Sequence, residues 1–372
     1  MTGLRGGDSS HDDHLLQRGE NGGSEHVRTR RDCFASLAMT GWCGIGEQEG
    51  EMSGSGRSFQ PVDSSITARY SEIATFMRAA RVPVERPLDI ALFGVPFDIG
   101  ATYRSGARQG PAGVREASRL IRQVNPTTAV APFRLCNVGD VGDAPTHPLN
   151  IAQSIELIGA FCARIHEIGA APVAMGGDHT IPLPILRAIG KSRPLGLIQI
   201  DSHADIFDTF MGDKYNHATF VRRAIEEGLL DPARIIQIGL RGTRYGDDDL
   251  AFGRSAGLRM MSMDEYEELG RTTVVQEIRR VVGDGPTYIT IDIDGLDPTD
   301  APGTGVPEPG GIRMRDAQMM LRAITGLHIV GGDICEVVPS LDPTGITCVN
   351  AANLLFEVTC LVAAARAGRR AS

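Results

Sequence analysis

The 372-residue sequence lacks three features that would each indicate a particular class of protein. Its seven cysteines form no Cys-x-x-Cys pair, and Cys136, Cys162 and Cys360 lie inside apolar runs, so we interpret them as reduced core residues of a cytoplasmic protein. The chain has no cluster of Lys and Arg and carries a net charge of −9, which argues against a nucleic-acid surface. No apolar run reaches the ~18 residues that a membrane span requires. We therefore expect no nucleic-acid or membrane partner.

Residues 1–60 lack sustained hydrophobic periodicity and are rich in Gly, Ser, Asp and Arg, which predicts a disordered N-terminal extension. They include the only tryptophan, Trp42. The stretch from Arg28 to Cys43 loosely imitates a signal peptide, but polar sequence precedes it and no convincing cleavage site follows. We favour Met52 as the native start. Residues 61–372 are then predicted to hold the folded domain.

Hydrophobic patterning from Leu88 onward predicts strands that alternate with helices. Such alternation is typical of an α/β protein whose parallel sheet is covered on both faces by right-handed crossovers. Eight strands without an internal repeat could equally close into a barrel, and the residues alone leave both arrangements open. The predicted strands are 88–95, 134–139, 171–176, 195–201, 234–240, 257–262, 286–292 and 328–334, and the predicted helices are 71–80, 111–123, 151–168, 181–190, 217–228, 273–283, 313–325 and 346–366.

Three of these strands end in side chains that commonly bind metal ions. Alternate residues of an extended chain project to the same side, so residues two apart can converge on one point. In parallel α/β proteins the carboxyl ends of the strands form the functional edge. The candidates are His179 after one strand, Asp201, His203 and Asp205 after the next, and Asp292 and Asp294 at the end of a third.

Four carboxylates at one edge of a sheet repel each other unless cations neutralise them. Two divalent ions offset four negative charges, and carboxylate oxygens combined with imidazole suit Mn²⁺ better than a structural zinc site. Two ions ~3.5–4 Å apart can share bridging carboxylates and lower the pKa of a water between them. Each aspartate alone could be a turn or N-cap residue, and a lone histidine is more often structural. The three motifs together favour a metal centre, whereas we assign Asp297 to a turn.

The segments Gly176–His179, Asp201–Asp205 and Asp292–Pro298 closely resemble the three signatures of the ureohydrolases, a family that includes arginase and agmatinase. The resemblance covers about residues 60–368. It implies an arginase-like three-layer α/β/α fold with an eight-stranded parallel sheet. It also implies that residues 61–372 form a catalytic domain and that the protein assembles as a trimer or hexamer.

The resemblance further implies which residues do the chemistry. One Mn²⁺ would be bound by His179 and Asp205, the other by His203 and Asp294, and Asp201 and Asp292 would bridge the two ions. Glu336 matches the glutamate that binds the guanidinium group, and His217 matches a histidine that shuttles protons. Asp205 would handle the proton of the attacking water. The implied reaction is the hydrolysis of a guanidino group to urea and an amine.

The substrate tail is harder to predict. Phe207 occupies a position where arginases carry an asparagine that reads the amino-acid head, so arginine is disfavoured. Phe207, Phe210, Met211 and Tyr215 suggest an apolar channel, and Asp208 or Asp213 could meet the ammonium of agmatine, which we take as the leading candidate. Lys214 leaves room for a guanidino acid such as 4-guanidinobutyrate or 3-guanidinopropionate. Free guanidine is a further alternative.

Two rival functions belong to different classes. A formimino hydrolase would use the same pair of metal ions, and product analysis for formamide or urea separates the two reactions. A relative without catalytic activity would bind metal or ligand alone, although the presence of all six ligands, Glu336 and His217 disfavours it. Ser202 departs from the alanine common in the central motif, which leaves Ni²⁺ as an alternative to Mn²⁺.

Overall fold

The computed structural model describes residues 59–84 and 88–371. Within these ranges, eight strands form a single sheet in which every pairing is parallel, in the order β2-β1-β3-β8-β7-β4-β5-β6. The predicted open sheet is confirmed, and the barrel alternative is wrong. The strands are β1 (Ile90–Val95), β2 (Val138–Asp143), β3 (Ala171–Gly176), β4 (Leu195–Ile200), β5 (Leu230–Leu240), β6 (Arg259–Ser262), β7 (Thr287–Asp292) and β8 (Ile329–Cys335).

Helices cover both faces of the sheet, which gives the predicted three-layer α/β/α architecture. Helices α1, α7, α8 and α9 contribute to the hydrophobic core on one face, and α3, α4, α5 and α6 pack against the core on the other. The helices are α1 (Gly110–Ser118), α2 (Pro132–Leu135), α3 (Ile151–Glu167), α4 (Pro182–Ile189), α5 (Phe220–Glu226), α6 (Ala251–Ala256), α7 (Met263–Val282), α8 (Met314–Ala323) and α9 (Ile346–Ala371).

Strand β4 shows why the central strands are apolar along their whole length. Leu197 points into one core, whereas Ile198 and Ile200 point into the other, because successive side chains of a strand alternate between its faces. All six residues of β4 are buried. A strand buried on both faces needs apolar residues at odd and even positions, and this is the pattern from which the sequence predicted it.

The predicted strand 134–139 begins four residues later than expected. Pro132 starts the short helix α2, and the backbone N–H of Cys136 donates to the Pro132 carbonyl, so the residues predicted to begin the strand, Arg134 and Leu135, are helical instead. Proline is favoured in the first turn of a helix because its fixed φ suits the helix and its missing N–H would be unpaired there.

The predicted helix 71–80 is reduced to a single 3₁₀ turn, Phe76–Arg78. Glu72, Met77 and Arg78 adopt positive φ angles of 71°, 54° and 59°, which an α-helix cannot contain. The backbone N–H groups of Phe76 and Met77 instead donate to the carboxylate of Asp140 and to the hydroxyl of Ser118. Tertiary hydrogen bonds therefore replace the helix that the amphipathic pattern predicted.

Helix α9 contains the one segment in the described residues that is long and apolar enough to cross a membrane, Ile346–Arg369. Its most apolar window is 78% buried inside the fold, as a core helix would be. The helix packs against β8 and α1. The predicted N-terminal extension, apart from its last two residues, lies outside the described residues.

Replacement of Leu355 by Ala tests the importance of α9 to the core. The Leu355 side chain is fully buried, so the change should lower the free energy of unfolding by about 2–5 kcal/mol through lost burial and a residual cavity. Chemical denaturation measures this loss. Leu120→Ala, at a side chain that is 54% exposed, is the matched control and should change stability by about 0.5 kcal/mol or less. Equal effects of the two substitutions would contradict the core assignment.

Candidate metal centre

The residues predicted to bind metal follow strands that are neighbours in the middle of the sheet. His179 follows β3, the Asp201–Asp205 segment follows β4, and Asp292 and Asp294 stand at the end of β7. Strand β8, which lies between β3 and β7, leads into Glu336. The four strands β3, β8, β7 and β4 are adjacent in the sheet order, so their carboxyl ends bring the three metal-binding motifs and Glu336 to one place.

The first group of ligand atoms surrounds His179. Its Nδ1 atom lies 3.0 Å from an oxygen of Asp201, 3.0 Å from an oxygen of Asp205 and 3.4 Å from an oxygen of Asp292. This buried nitrogen makes no hydrogen bond of acceptable geometry, although three carboxylates face it. A lone pair directed at several carboxylate oxygens is the arrangement that a shared cation would satisfy.

The second group surrounds His203. Its Nδ1 atom lies 3.2 Å from Asp294 Oδ2 and 3.7 Å from Asp201 Oδ1. Ser202 holds Asp294 in place, because its hydroxyl and its backbone N–H both donate to Asp294 Oδ1, at 2.6 and 3.2 Å. Asp201 belongs to both groups, with Oδ2 in the first and Oδ1 in the second.

The carboxylates of this cluster attract positive charge strongly. Burial raises the pKa of Asp201 to about 7, and the negative charges of Asp205 and Asp294 add to that rise. Burial and the charges of Asp294 and Asp201 likewise raise the pKa of Asp292 well above its usual range. Burial lowers the pKa of His203, but Asp294 and Asp201 outweigh this effect and raise it to about 11. The cluster is therefore stable only with protons or metal cations between its carboxylates.

These residues fit a pair of divalent cations. The donors are carboxylate oxygens and imidazole nitrogens, with no thiolate in either group that contains Asp201. The orphaned Nδ1 of His179 and the shared position of Asp201 are what two ions joined by a bridging carboxylate require.

Glu336 and His217 lie together beside this cluster. Glu336 Oε1 accepts hydrogen bonds from the backbone N–H of His179 at 3.0 Å and from His217 Nδ1 at 3.1 Å. The other ring nitrogen of His217 lies 2.8 Å from the hydroxyl of Thr102. Burial lowers the pKa of His217, but the Glu336 carboxylate outweighs it and raises the pKa to about 9. This ring is therefore held at both nitrogens, with Nδ1 at Glu336 and Nε2 accepting from the backbone N–H of Thr102 at 3.3 Å.

Asp205 and Glu336 adopt left-handed backbone conformations, with φ angles of 53° and 59°. Such conformations cost about 1–3 kcal/mol for residues other than glycine and persist where the surrounding structure enforces them. The Glu336 backbone N–H donates to the Gly177 carbonyl, and the Asp205 carbonyl accepts from Val221, so both conformations are fixed by neighbouring segments.

A cavity of about 880 Å³ opens above the cluster. Its floor includes His203, Asp205, Asp294 and Glu336, whereas His179 and Asp201 do not line it. Phe207, Phe210 and Tyr245 form one aromatic wall, with ring centroids 5.4–6.2 Å apart. The cavity therefore connects the candidate metal centre with an apolar surface that suits an aliphatic chain.

Of the residues predicted to bind the substrate tail, five do not line this cavity: Asp208, Met211, Asp213, Lys214 and Tyr215. Asp208 forms ion pairs with Arg223 at 2.8 Å and with Arg222 at 3.6 Å. Tyr215 lies against the guanidinium of Arg187, 5.7 Å from the ring centroid. Neither side chain lines the cavity, whereas Phe207 and Phe210 do. The negative charge of Asp208 is thus directed toward arginines of α5.

Sequence reasoning missed several residues that line the cavity, among them Thr102, Arg244, Tyr245 and Glu308. Thr102 lies in the loop after β1, Arg244 and Tyr245 lie in the loop after β5, and Glu308 lies before α8. No regular spacing marks these loop positions, because the loops reach the site only through the folding of the sheet beneath them.

His203→Ala and Asp294→Ala should each remove one of two bound ions and most of the activity, because each deletes a ligand atom of the second group. Elemental analysis of the purified variants would show about one ion per chain where the parent has two, with circular dichroism unchanged. His147→Ala is the control and should retain two ions, because this ring belongs to neither ligand group and its Nδ1 accepts from the backbone N–H of Leu149. Two fully occupied sites in both ligand variants would contradict the assignment.

Comparisons with known proteins agree with this geometry. A family model described as "Arginase family" matches residues 88–361. The chain is 47% identical over 305 residues to guanidinopropionase of Pseudomonas aeruginosa and 43% identical over 307 residues to guanidinobutyrase of the same organism, and each alignment covers 82% of this chain and 96% of the relative. The solved structure of proclavaminate amidino hydrolase from Streptomyces clavuligerus has a TM-score of 0.77 and 37% identity, covering 80% of this chain and 100% of that one. The chain belongs to the arginase family, whose members hydrolyse C–N bonds of guanidino compounds.

Proposed function

We propose that this chain is a metal-dependent amidinohydrolase that cleaves an ω-guanidino acid, such as 3-guanidinopropionate or 4-guanidinobutyrate, to urea and an ω-amino acid. The observation that carries this proposal is the charge distribution at the tail end of the cavity. Arg244 is a cation in the cavity wall that has no hydrogen-bond or ion-pair partner among the described residues. Of the two anions predicted to meet an ammonium group, Asp208 is paired with Arg223 and Asp213 does not line the cavity. We further propose Mn²⁺ as the ion and the cytoplasm as the location.

The guanidinium end of the substrate would bind Glu336. Oxygen Oε1 of this side chain accepts hydrogen bonds from His179 and His217, whereas no residue in the described part of the chain hydrogen-bonds Oε2. A bound guanidinium would donate charge-assisted hydrogen bonds to that oxygen. Gly305 has no side chain beside Oε2. A Cβ atom at this position would lie 3.6 Å from the oxygen, in van der Waals contact with it, so glycine leaves that side of Oε2 uncovered.

The proton for the leaving amine would come from His217. The Glu336 carboxylate raises the pKa of this ring and so favours a proton on it, and its position between Thr102 and Glu336 places it beside the group that binds the guanidinium. The carboxylate of Asp205, at the edge of the cluster and in the cavity wall, is the nearest acceptor for a proton of the attacking water. Two divalent cations, when bound, would supply the polarisation that makes water nucleophilic.

The tail of the substrate would lie along Phe207 and Phe210 with its carboxylate at Arg244. Among the residues that the structure describes, none forms a hydrogen bond or an ion pair with the Arg244 side chain. A free guanidinium on a cavity wall is well suited to bind a carboxylate in a bidentate manner. The two relatives named guanidinopropionase and guanidinobutyrase support a substrate of this class.

Agmatine remains the second candidate because of Glu308. This half-buried side chain lines the same cavity and lies against Gly242, where a Cβ atom would approach its carboxyl carbon to 2.4 Å. Within the described part of the chain, its carboxylate has no hydrogen-bond or ion-pair partner. An ammonium group at the end of the substrate would pair with Glu308 as a carboxylate would pair with Arg244.

Arg244→Gln and Glu308→Gln distinguish the two substrates. If the proposal is correct, Arg244→Gln should lower kcat/KM for 3-guanidinopropionate or 4-guanidinobutyrate by about tenfold, mainly through KM, which corresponds to the ~1.4 kcal/mol of a charge-assisted contact. Urea release measures both constants. Glu308→Gln should leave hydrolysis of the guanidino acids within about twofold of the parent.

The matched control is Arg254→Gln, since Arg254 lines the same cavity but donates to the carbonyl of Asp247. It should change kcat/KM little. A parent enzyme that prefers agmatine and is impaired by Glu308→Gln, with Arg244→Gln harmless, would replace the proposal by the second candidate.

Glu336→Gln tests the binding of the guanidinium. The substitution preserves shape but removes the negative charge, so kcat/KM should fall by at least about a hundredfold, or ~2.7 kcal/mol, for every guanidino substrate. The number of bound ions should remain two, because Glu336 belongs to neither group of ligand atoms. Loss of an ion from this variant would mean that Glu336 acts on the metal centre instead.

A further inference from the structure

A row of four buried polar side chains crosses the sheet directly beneath the candidate metal centre. The residues are Asp333 on β8, Thr290 on β7, Gln199 on β4 and Gln237 on β5, and each is the register partner of the next. All four are fully buried. Their apolar strand neighbours pack into the two cores, so a continuous polar row at this level needs an explanation other than core packing.

One half of the row ends on His179. The Thr290 hydroxyl donates to Asp333 Oδ1 at 2.7 Å, and His179 Nε2 lies 2.7 Å from the same hydroxyl oxygen. Because Thr290 gives its only proton to Asp333, its oxygen must accept from His179. The imidazole proton is therefore placed on Nε2, which leaves the lone pair on Nδ1, the atom that faces the carboxylates.

The other half of the row ends on Asp201. Gln237 Nε2 donates to the Ala204 carbonyl at 2.7 Å and to Gln199 Oε1 at 2.8 Å. Because Gln199 Oε1 accepts that hydrogen bond, the Nε2 group of the same amide faces Asp201 and donates to its Oδ2 atom at 2.7 Å. The fixed carbonyl of Ala204 thus determines the orientation of both amides.

Asp201 receives one hydrogen bond on each oxygen. Gln199 donates to Oδ2, and the backbone N–H of His203 donates to Oδ1 at 2.6 Å. The remaining lone pair of Oδ2 faces the His179 group and that of Oδ1 faces the His203 group. A carboxylate held in this way would offer one oxygen to each of two cations.

We propose that the row Asp333–Thr290–Gln199–Gln237 is a set of positioning residues that fixes the tautomer of His179 and the bridging orientation of Asp201. Side chains that orient metal ligands from behind commonly change metal affinity by 10–100-fold when they are removed. The competing explanation is structural: the four side chains only satisfy one another inside the sheet. The two explanations differ in whether metal binding changes more than stability does.

Thr290→Val and Gln199→Leu are the test variants. Each keeps the approximate volume of the side chain and removes the group that contacts a ligand. Thr287→Val is the matched control, because Thr287 lies on the same strand, is also fully buried, and hydrogen-bonds Gly285 and Arg234 at the opposite end of the sheet. Full-length protein, stripped of metal by chelator, is titrated with Mn²⁺ and followed by EPR and by thermal unfolding, without any substrate.

Each test variant should bind Mn²⁺ at least about tenfold more weakly than the parent, and Gln199→Leu should also lose the spin-coupled signal of a bridged ion pair. Thr287→Val should bind as the parent does. Thr290→Ser, which keeps the hydroxyl, should restore parental affinity and serves if Thr290→Val fails to fold. Gln199→His keeps an N–H donor, should also restore parental affinity, and is used if Gln199→Leu fails to fold. Affinities equal to that of Thr287→Val, or no rescue by Thr290→Ser, would overturn the proposal.

Discussion

Mutual repulsion among buried carboxylates is the constraint on which the rest of this structure depends. Asp201, Asp205, Asp292 and Asp294 meet within a few ångströms of two imidazoles, away from the water that normally stabilises their charges. Burial of this many like charges is strongly unfavourable unless cations lie among them. Two divalent ions bound by these residues would supply the needed charge at the place where the reaction needs a polarised water, so one feature would account for both the stability and the chemistry of the site.

The fold meets this constraint by using the order of its strands. Strands β3, β8, β7 and β4 are neighbours in space although they are distant in sequence, and each contributes one motif at its carboxyl end. Apolar residues on both faces make these strands rigid and fix their register. The polar row beneath the ligands depends on that register, because Thr290 pairs with Gln199 on one side and with Asp333 on the other. The register of the sheet therefore sets the positions of the polar row, and the polar row contacts the candidate ligands His179 and Asp201.

Much of this could be predicted from the sequence because the signals are local. Apolar runs gave the strands, and residues two apart gave the ligands of the central motif. Gln199 could also have been found, since it lies two residues before Asp201 and must share its side of the strand. By contrast, the pairing of Asp208 with Arg223, the approach of Arg244 and the loss of the helix around Met77 depend on contacts between distant segments. Such contacts produce no periodic pattern in the sequence from which they could be predicted.

The most direct test of the central claim is the location of the ions by anomalous diffraction from crystals grown with Mn²⁺. We expect two peaks about 3.5–4 Å apart, with one oxygen of Asp201 directed at each ion, His179 at the first and His203 at the second. A single ion, or two ions on separate surfaces with Asp201 bridging neither, would contradict it.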